Sequence, residues 1–130
     1  MQNIFYVFIG GGLGAVCRYL TTTKIGAIMP AAFPCGTFFV NTLGSFLMGL
    51  IMGILLPLAA EGQLMAESAR LFLTVGFLGG FTTFSSFSLE TLTLFEGGQY
   101  AMACLNIIGS VTAGILAALL GLSLARLFSL

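Results

Sequence analysis

The chain has no histidine and no tryptophan, and only 6% of its 130 residues are charged. Without histidine there is no Ser-His-Asp triad, and no imidazole to complete a zinc site around Cys17, Cys35 and Cys104. The three cysteines are an odd number at unrelated spacings and read as small buried apolar side chains. So little charge excludes an ordinary water-soluble domain. The opening "MQNIFYVFIG" lacks the basic leader of a cleavable signal peptide, so the first apolar segment is expected to stay in the membrane.

What is present is apolar: 58% hydrophobic residues, including 13 phenylalanines, together with 18 glycines. Four charge-poor stretches each hold the roughly 20 residues needed to cross about 30 Å of hydrocarbon. The expectation is an all-α membrane protein, a single four-helix domain over residues 1–130, with spans near 3–23, 35–56, 70–94 and 99–126. Pro30 and Pro34 mark the first connection and Pro57 ends the second span, while "AAEGQLMAE" (59–67) and "FEGGQ" (95–99) read as surface turns. The runs are too long and too uniformly apolar for barrel strands.

Topology signals are balanced. With four spans, Arg70 and Arg126 share one side, and Lys24 shares the other with Arg18 if that side chain snorkels to the interface. A two-against-two tie leaves both orientations open, and a chain inserted both ways can form an antiparallel dimer. Four helices of this length leave little room for a pore inside one subunit. Thr37, Asn41, Ser45, Gly49 and Gly53 recur every fourth residue along one drifting face of the second span. The fourth span offers Asn106, Gly109, Ser110, Ala113, Gly114, Ala117 and Gly121, and such stripes let helices approach closely. Packing explains the glycines but not the two asparagines, whose amides must find partners or donate to an anion. "GGGLGA" (10–15) formally matches a dinucleotide fingerprint, but it lies in a membrane span with no acidic residue about twenty positions on.

The stretch "GFLGGFTTFSSFSLE" (76–90) carries the chemistry. Gly79 and Gly80 are poor helix formers near the middle of the third span, and Thr82 and Thr83 can cap a helix that restarts there. A break at that depth frees carbonyls and N–H groups that lipid cannot satisfy. Unwound carbonyls suit a small hard cation, and two breaks meeting in an antiparallel dimer would hold one Na⁺. Beyond the break, Phe84 and Phe87 share a face, and positive ring edges contact anions weakly. Ser86 and Glu90, four apart, make a polar track beside them. Each ring taken alone also fits simple packing, and Arg18, the one charge well inside a span, fits a vestibule or snorkelling role as well as a pore role.

"GGGLGAVCRY" (10–19), "GTFFVNTLGSFLMG" (36–49) and "GFLGGFTTFSSFSLE", with "NIIGSVTAG" (106–114) more loosely, resemble the small bacterial fluoride channels called Fluc or CrcB. The resemblance implies a channel, not an enzyme, that passively exports fluoride across the cytoplasmic (inner) membrane and confers fluoride resistance. It also implies a dual-topology antiparallel homodimer with two pores and a structural Na⁺ at its centre. By motif, backbone carbonyls of Gly79 and Thr82 would hold the Na⁺. Fluoride would pass Phe84 and Phe87 with Asn41 as donor, and Ser85, Ser86 and Glu90 would belong to the polar track. Ser110 and Thr112 would contribute from the fourth helix, and Arg18 matches the vestibule arginine. Phe81 stands where many relatives carry leucine and has no assigned role, and the register of Tyr100 does not match that of Ser110.

Two rivals remain at this level. A small dual-topology exporter of toxic compounds should carry a glutamate in its first span, and none is there. A structural subunit of a larger membrane assembly would not conduct when purified alone.

Overall fold

The computed structural model describes residues 2–29 and 32–128, so Pro30 lies outside the described residues. The elements are α1 (Gln2–Ile28), α2 (Cys35–Ala60), α3 (Leu64–Arg70), a π-helical stretch (Leu71–Leu78), α4 (Gly79–Phe81), α5 (Phe84–Glu96) and α6 (Tyr100–Phe128). The pieces from Leu64 to Glu96 follow one another as a third span, which gives four segments long and apolar enough to cross a membrane. Among the described residues there is no strand.

The helices run longer than their hydropathy suggests. Pro57 does not end α2: it removes one N–H, but its carbonyl still accepts from Glu61 N–H at 3.2 Å, and the helix continues to Ala60. "AAEGQLMAE" is not a turn throughout either. Ala59 and Ala60 close α2, and Leu64 to Glu67 already belong to α3. Alanine, leucine, methionine and glutamate are strong helix formers, so both helices absorb their share of the connection. The reversal itself falls on Gly62, whose φ of 81° favours glycine. Gly98, at φ 72°, does the same in the connection before α6.

Two glycine seams hold the bundle together. Along the first, α1 lies against the π-helical stretch and α4. A Cβ on Gly10 would stand 3.0 Å from Gly76 Cα, and one on Gly14 would land on the Phe77 carbonyl. Along the second, α2 lies against α6, where a Cβ on Gly49 would meet the Ala118 carbonyl and one on Gly121 the Phe46 carbonyl. Membrane helices gain little from hydrophobicity against one another, so this backbone proximity and the dispersion it brings are what bind them. Where the seams converge, Val40, Leu78 and Phe81 form a core, with Cys17, Leu43 and Phe77 packed around it. Phe81 is 6% exposed and stacks on Phe77 with ring centroids 6.0 Å apart, so its role is to fill this core.

The third span breaks, but not at its glycines. Gly79 is helical at φ −62°, ψ −37°, and the extended residues are Thr82 (φ −84°, ψ 161°) and Thr83 (φ −153°, ψ 120°). Gly80 is needed for its missing side chain instead: a Cβ there would collide with the Gly11 carbonyl and come within 3.1 Å of Ala15 N. The π-helical stretch runs directly into this region, with Gly79 N–H reaching back to the Thr74 carbonyl.

Candidate functional site

The break is held open from α2. Asn41 sits one turn beyond Thr37 on the small-residue face, which turns its amide toward the third span. Its Nδ2 donates to the Thr83 carbonyl at 2.9 Å, and its Oδ1 accepts from Thr83 N–H at 2.8 Å. One side chain thereby satisfies both main-chain groups of a non-helical residue at membrane depth, where water is not at hand to do so. That N–H would otherwise close a helical turn onto the Gly79 carbonyl, so the same contact releases Gly79 from the ladder.

Thr83 is also the cap of α5. Its Oγ1 accepts from Ser86 N–H at 3.2 Å and lies 3.1 Å from Ser86 Oγ and 3.3 Å from Ser85 Oγ. Thr82 behaves differently: its N–H and hydroxyl both turn back to the Leu78 carbonyl, each at 2.9 Å. The Thr82 carbonyl accepts from Arg18 Nη1 at 3.0 Å. Arg18 therefore does not snorkel to the interface. It reaches from α1 to the break and bonds a released carbonyl there.

Along α5, one face continues the polar line from Thr83 through Ser86 to Glu90. Glu90 Oε1 accepts from Thr37 Oγ1 at 2.6 Å, while Oε2 is buried with no partner. A small cavity of about 160 Å³ opens beside it, lined by Thr22, Cys35, Thr37 and Glu90. The next face carries Phe84 and Phe87, their centroids 5.6 Å apart at 40°. Phe84 is 79% exposed. An open cleft of about 320 Å³ runs from Asn41 and Ser45 past Thr82, Thr83 and Phe84 to Ala118.

The fourth helix contributes less directly than the sequence suggests. Asn106 is fully buried, donates from Nδ2 to Thr91 Oγ1 at 2.8 Å, and accepts from Ser110 Oγ at 3.2 Å. It ties α6 to α5. Ser110 is half-buried beside it, while Thr112 points to an exposed face of α6 and Tyr100 packs against Phe95 at the start of the helix. The geometry thus joins Asn41, Ser85, Ser86 and Arg18 around the break, with Phe84, Phe87 and Glu90 following along α5. Thr37 and Thr83 do more here than sequence reasoning assigned them. Their signal was the spacing from Thr37 to Asn41 and the hydroxyl immediately before Phe84.

Among the described residues there is no group of three or more carboxylate, thiolate or imidazole side chains, so a cation in this region would rest on neutral oxygens, main-chain carbonyls among them. The Gly79 carbonyl suits the purpose: it has lost its helical donor and belongs to an exposed residue. The Thr82 carbonyl keeps one lone pair beyond the bond from Arg18.

Comparison with known proteins bears on this arrangement. The model of the family described as CrcB-like protein, Camphor Resistance (CrcB), matches residues 5–122. The chain is 46% identical to the Fluoride-specific ion channel FluC of Magnetococcus marinus over 97% of this chain and 99% of that one. Against the protein of the same description from Thermus thermophilus, identity is 49% over 93% of each chain. For that of Geobacter sulfurreducens it is 44% over 97% of this chain and 98% of the relative.

Proposed function

This chain belongs to the CrcB-like family, and from that premise we propose that it is a fluoride-selective channel through which fluoride leaves the cell passively. It is a multi-pass protein of the bacterial membrane and not an enzyme. Hydrogen fluoride enters a cell as a neutral acid and ionises at near-neutral pH. Negative-inside voltage then drives the anion out without ATP. The observation that carries the reading is the Asn41 clasp on Thr83, which opens a line of fixed hydroxyls and ring edges beside the broken third span.

Fluoride is small and strongly hydrated, so a path must replace its water with donors without binding it tightly. Thr83, Ser85 and Ser86 offer hydroxyls at the break, and the Phe84 and Phe87 edges offer weak positive potential without a charge. Thr37 and Glu90 continue the polar line toward the small cavity. The amide of Asn41 serves first as a clasp. As a donor to the anion it would act from the open cleft, with Arg18 close behind it. Ser110 supports the path through Asn106, and Thr112 would reach an anion only from outside the subunit.

The functional unit in this reading is an antiparallel homodimer inserted in both orientations, with two pores. Its support is the exposure of Ser85 and of Gly79, whose carbonyl has lost its helical donor, polar groups that lipid alone serves poorly. A Na⁺ at the centre would be held by the carbonyls of Gly79 and Thr82 from each subunit. The ion would supply a fixed positive charge that fastens the two breaks together.

Fluoride efflux from liposomes containing only this protein, with chloride as control, tests the channel reading. Equal fluxes of the two ions, or none above empty liposomes, would end it. Flux from the lone protein also removes the assembly-subunit reading. Single-cysteine labelling of the connections tests dual insertion, which requires every connection to be reached from both sides.

A further inference from the structure

Arg18 is a half-buried guanidinium whose side-chain partner is a main-chain carbonyl rather than a carboxylate. A charge at this depth is costly unless something there needs it. Its acceptor is the Thr82 carbonyl, one of the two oxygens per subunit that the sodium reading requires. The remaining polar groups of Thr82 are turned away, since its N–H and its hydroxyl both bond to Leu78 O. Cation and guanidinium thus want the same oxygen. Geometrically it has room for both, with two lone pairs. Electrostatically the pair is unfavourable, because two unit positive charges would stand within two contact lengths in a medium that screens poorly.

We propose that Arg18 is the resident cation of the Thr82 carbonyl in the lone subunit and surrenders that oxygen when a second subunit and a small monovalent cation close on the break. The side chain thereby sets how much Na⁺ the assembly needs. Arg18 is a positioning residue in this sense: it keeps the carbonyl held and occupied until a better-coordinated ion replaces it. The inference rests on the sodium reading given above.

The test is a sodium titration of the purified protein at constant ionic strength, with N-methylglucamine replacing Na⁺, reading the dimer fraction and the thermal midpoint. Arg18→Gln keeps a donor but loses the charge, and its half-maximal Na⁺ concentration should fall roughly tenfold or more. Arg18→Lys keeps the charge without the planar fork and should stay near the wild-type value. An unchanged or higher sodium requirement in Arg18→Gln overturns the proposal and leaves sodium binding intact. A dimer indifferent to Na⁺ in both wild type and Arg18→Gln removes the sodium reading and the competition with it. If Arg18→Gln does not fold, the wild type still decides: phenylglyoxal should modify Arg18 faster in saturating Na⁺, with Arg70 and Arg126 as internal references. Equal rates with and without Na⁺ would reject the exchange.

Discussion

The two halves of the third span are both rich in phenylalanine, but the glycines lie in the first and most of the hydroxyls in the second, and the halves face different surroundings. From Leu71 to Phe81 the chain is pressed against α1, with Thr74, Gly76, Leu78 and Phe81 buried and no space for a side chain on Gly76 or Gly80. From Phe84 to Glu96 it touches its own subunit more sparsely, through Glu90, Thr91 and Leu94 beyond the clasp at Thr83, and leaves Phe84, Ser85, Ser88 and Leu89 exposed. The first half is a structural wall. The second is an exposed surface, and it is the one on which the proposed pore and subunit contact rest. Glycine therefore means close packing in one half, and the hydroxyls of the other belong to a surface.

The sharpest way to break this contrast is to add bulk on each side of the break. Gly80→Val would drive side-chain atoms into the Gly11 carbonyl and should cost about 3 kcal/mol or more, enough to abolish a monodisperse peak in size-exclusion chromatography. Ser88→Val on the exposed half should move stability by less than about 0.5 kcal/mol. Similar losses for both variants would mean that the halves are equally packed.

The hinge between the halves comes next. Asn41→Leu leaves the Thr83 N–H and carbonyl without partners, about 1–3 kcal/mol for each group, and should silence fluoride efflux. Asn41→Asp keeps the acceptor for Thr83 N–H but removes the donor and adds negative charge. It should stay better folded than the leucine variant and still lose flux, as seen by comparing thermal midpoints with liposome efflux. A leucine variant that conducts normally would show that the break needs no clasp.

Substitutions confined to the working surface should separate function from stability. Phe84→Ile and Phe87→Ile should lower fluoride flux by up to about tenfold, the scale of an aromatic contact, with the thermal midpoint almost unmoved. Wild-type flux in both would remove the ring edges from the mechanism. Thr83→Val loses the cap of α5 and should cost about 1 kcal/mol, read as a drop of a few degrees in thermal unfolding.

Much of this was legible before any coordinates. Hydropathy runs fix four spans because lipid permits few alternatives, and the paired threonines mark a helix restart because hydroxyls cap N-termini. The position of the break was misread. A glycine pair looks the same whether it loosens a helix or admits a neighbour's backbone, and only the proximity of Gly11 to Gly80 decides between them. Arg18 was similarly ambiguous, since its reach to the interface is visible in sequence and its partner 64 residues away is not. The Thr37 to Glu90 bond depends on the register between α2 and α5, which no local pattern encodes. Phe81 had no assignment because a core where two seams converge exists only in three dimensions.

The clasp of Asn41 on Thr83 has a consequence for the order of events in assembly. A single amide there does what a neighbouring strand does in a sheet, pairing with both the donor and the acceptor of one extended residue. Because the pairing is internal to one chain, the interruption of the third span exists before any encounter between chains. In the proposed dimer, two subunits would meet with their docking surfaces already shaped, so little ordering entropy would be lost at contact and more of the association energy would remain to make the complex long-lived.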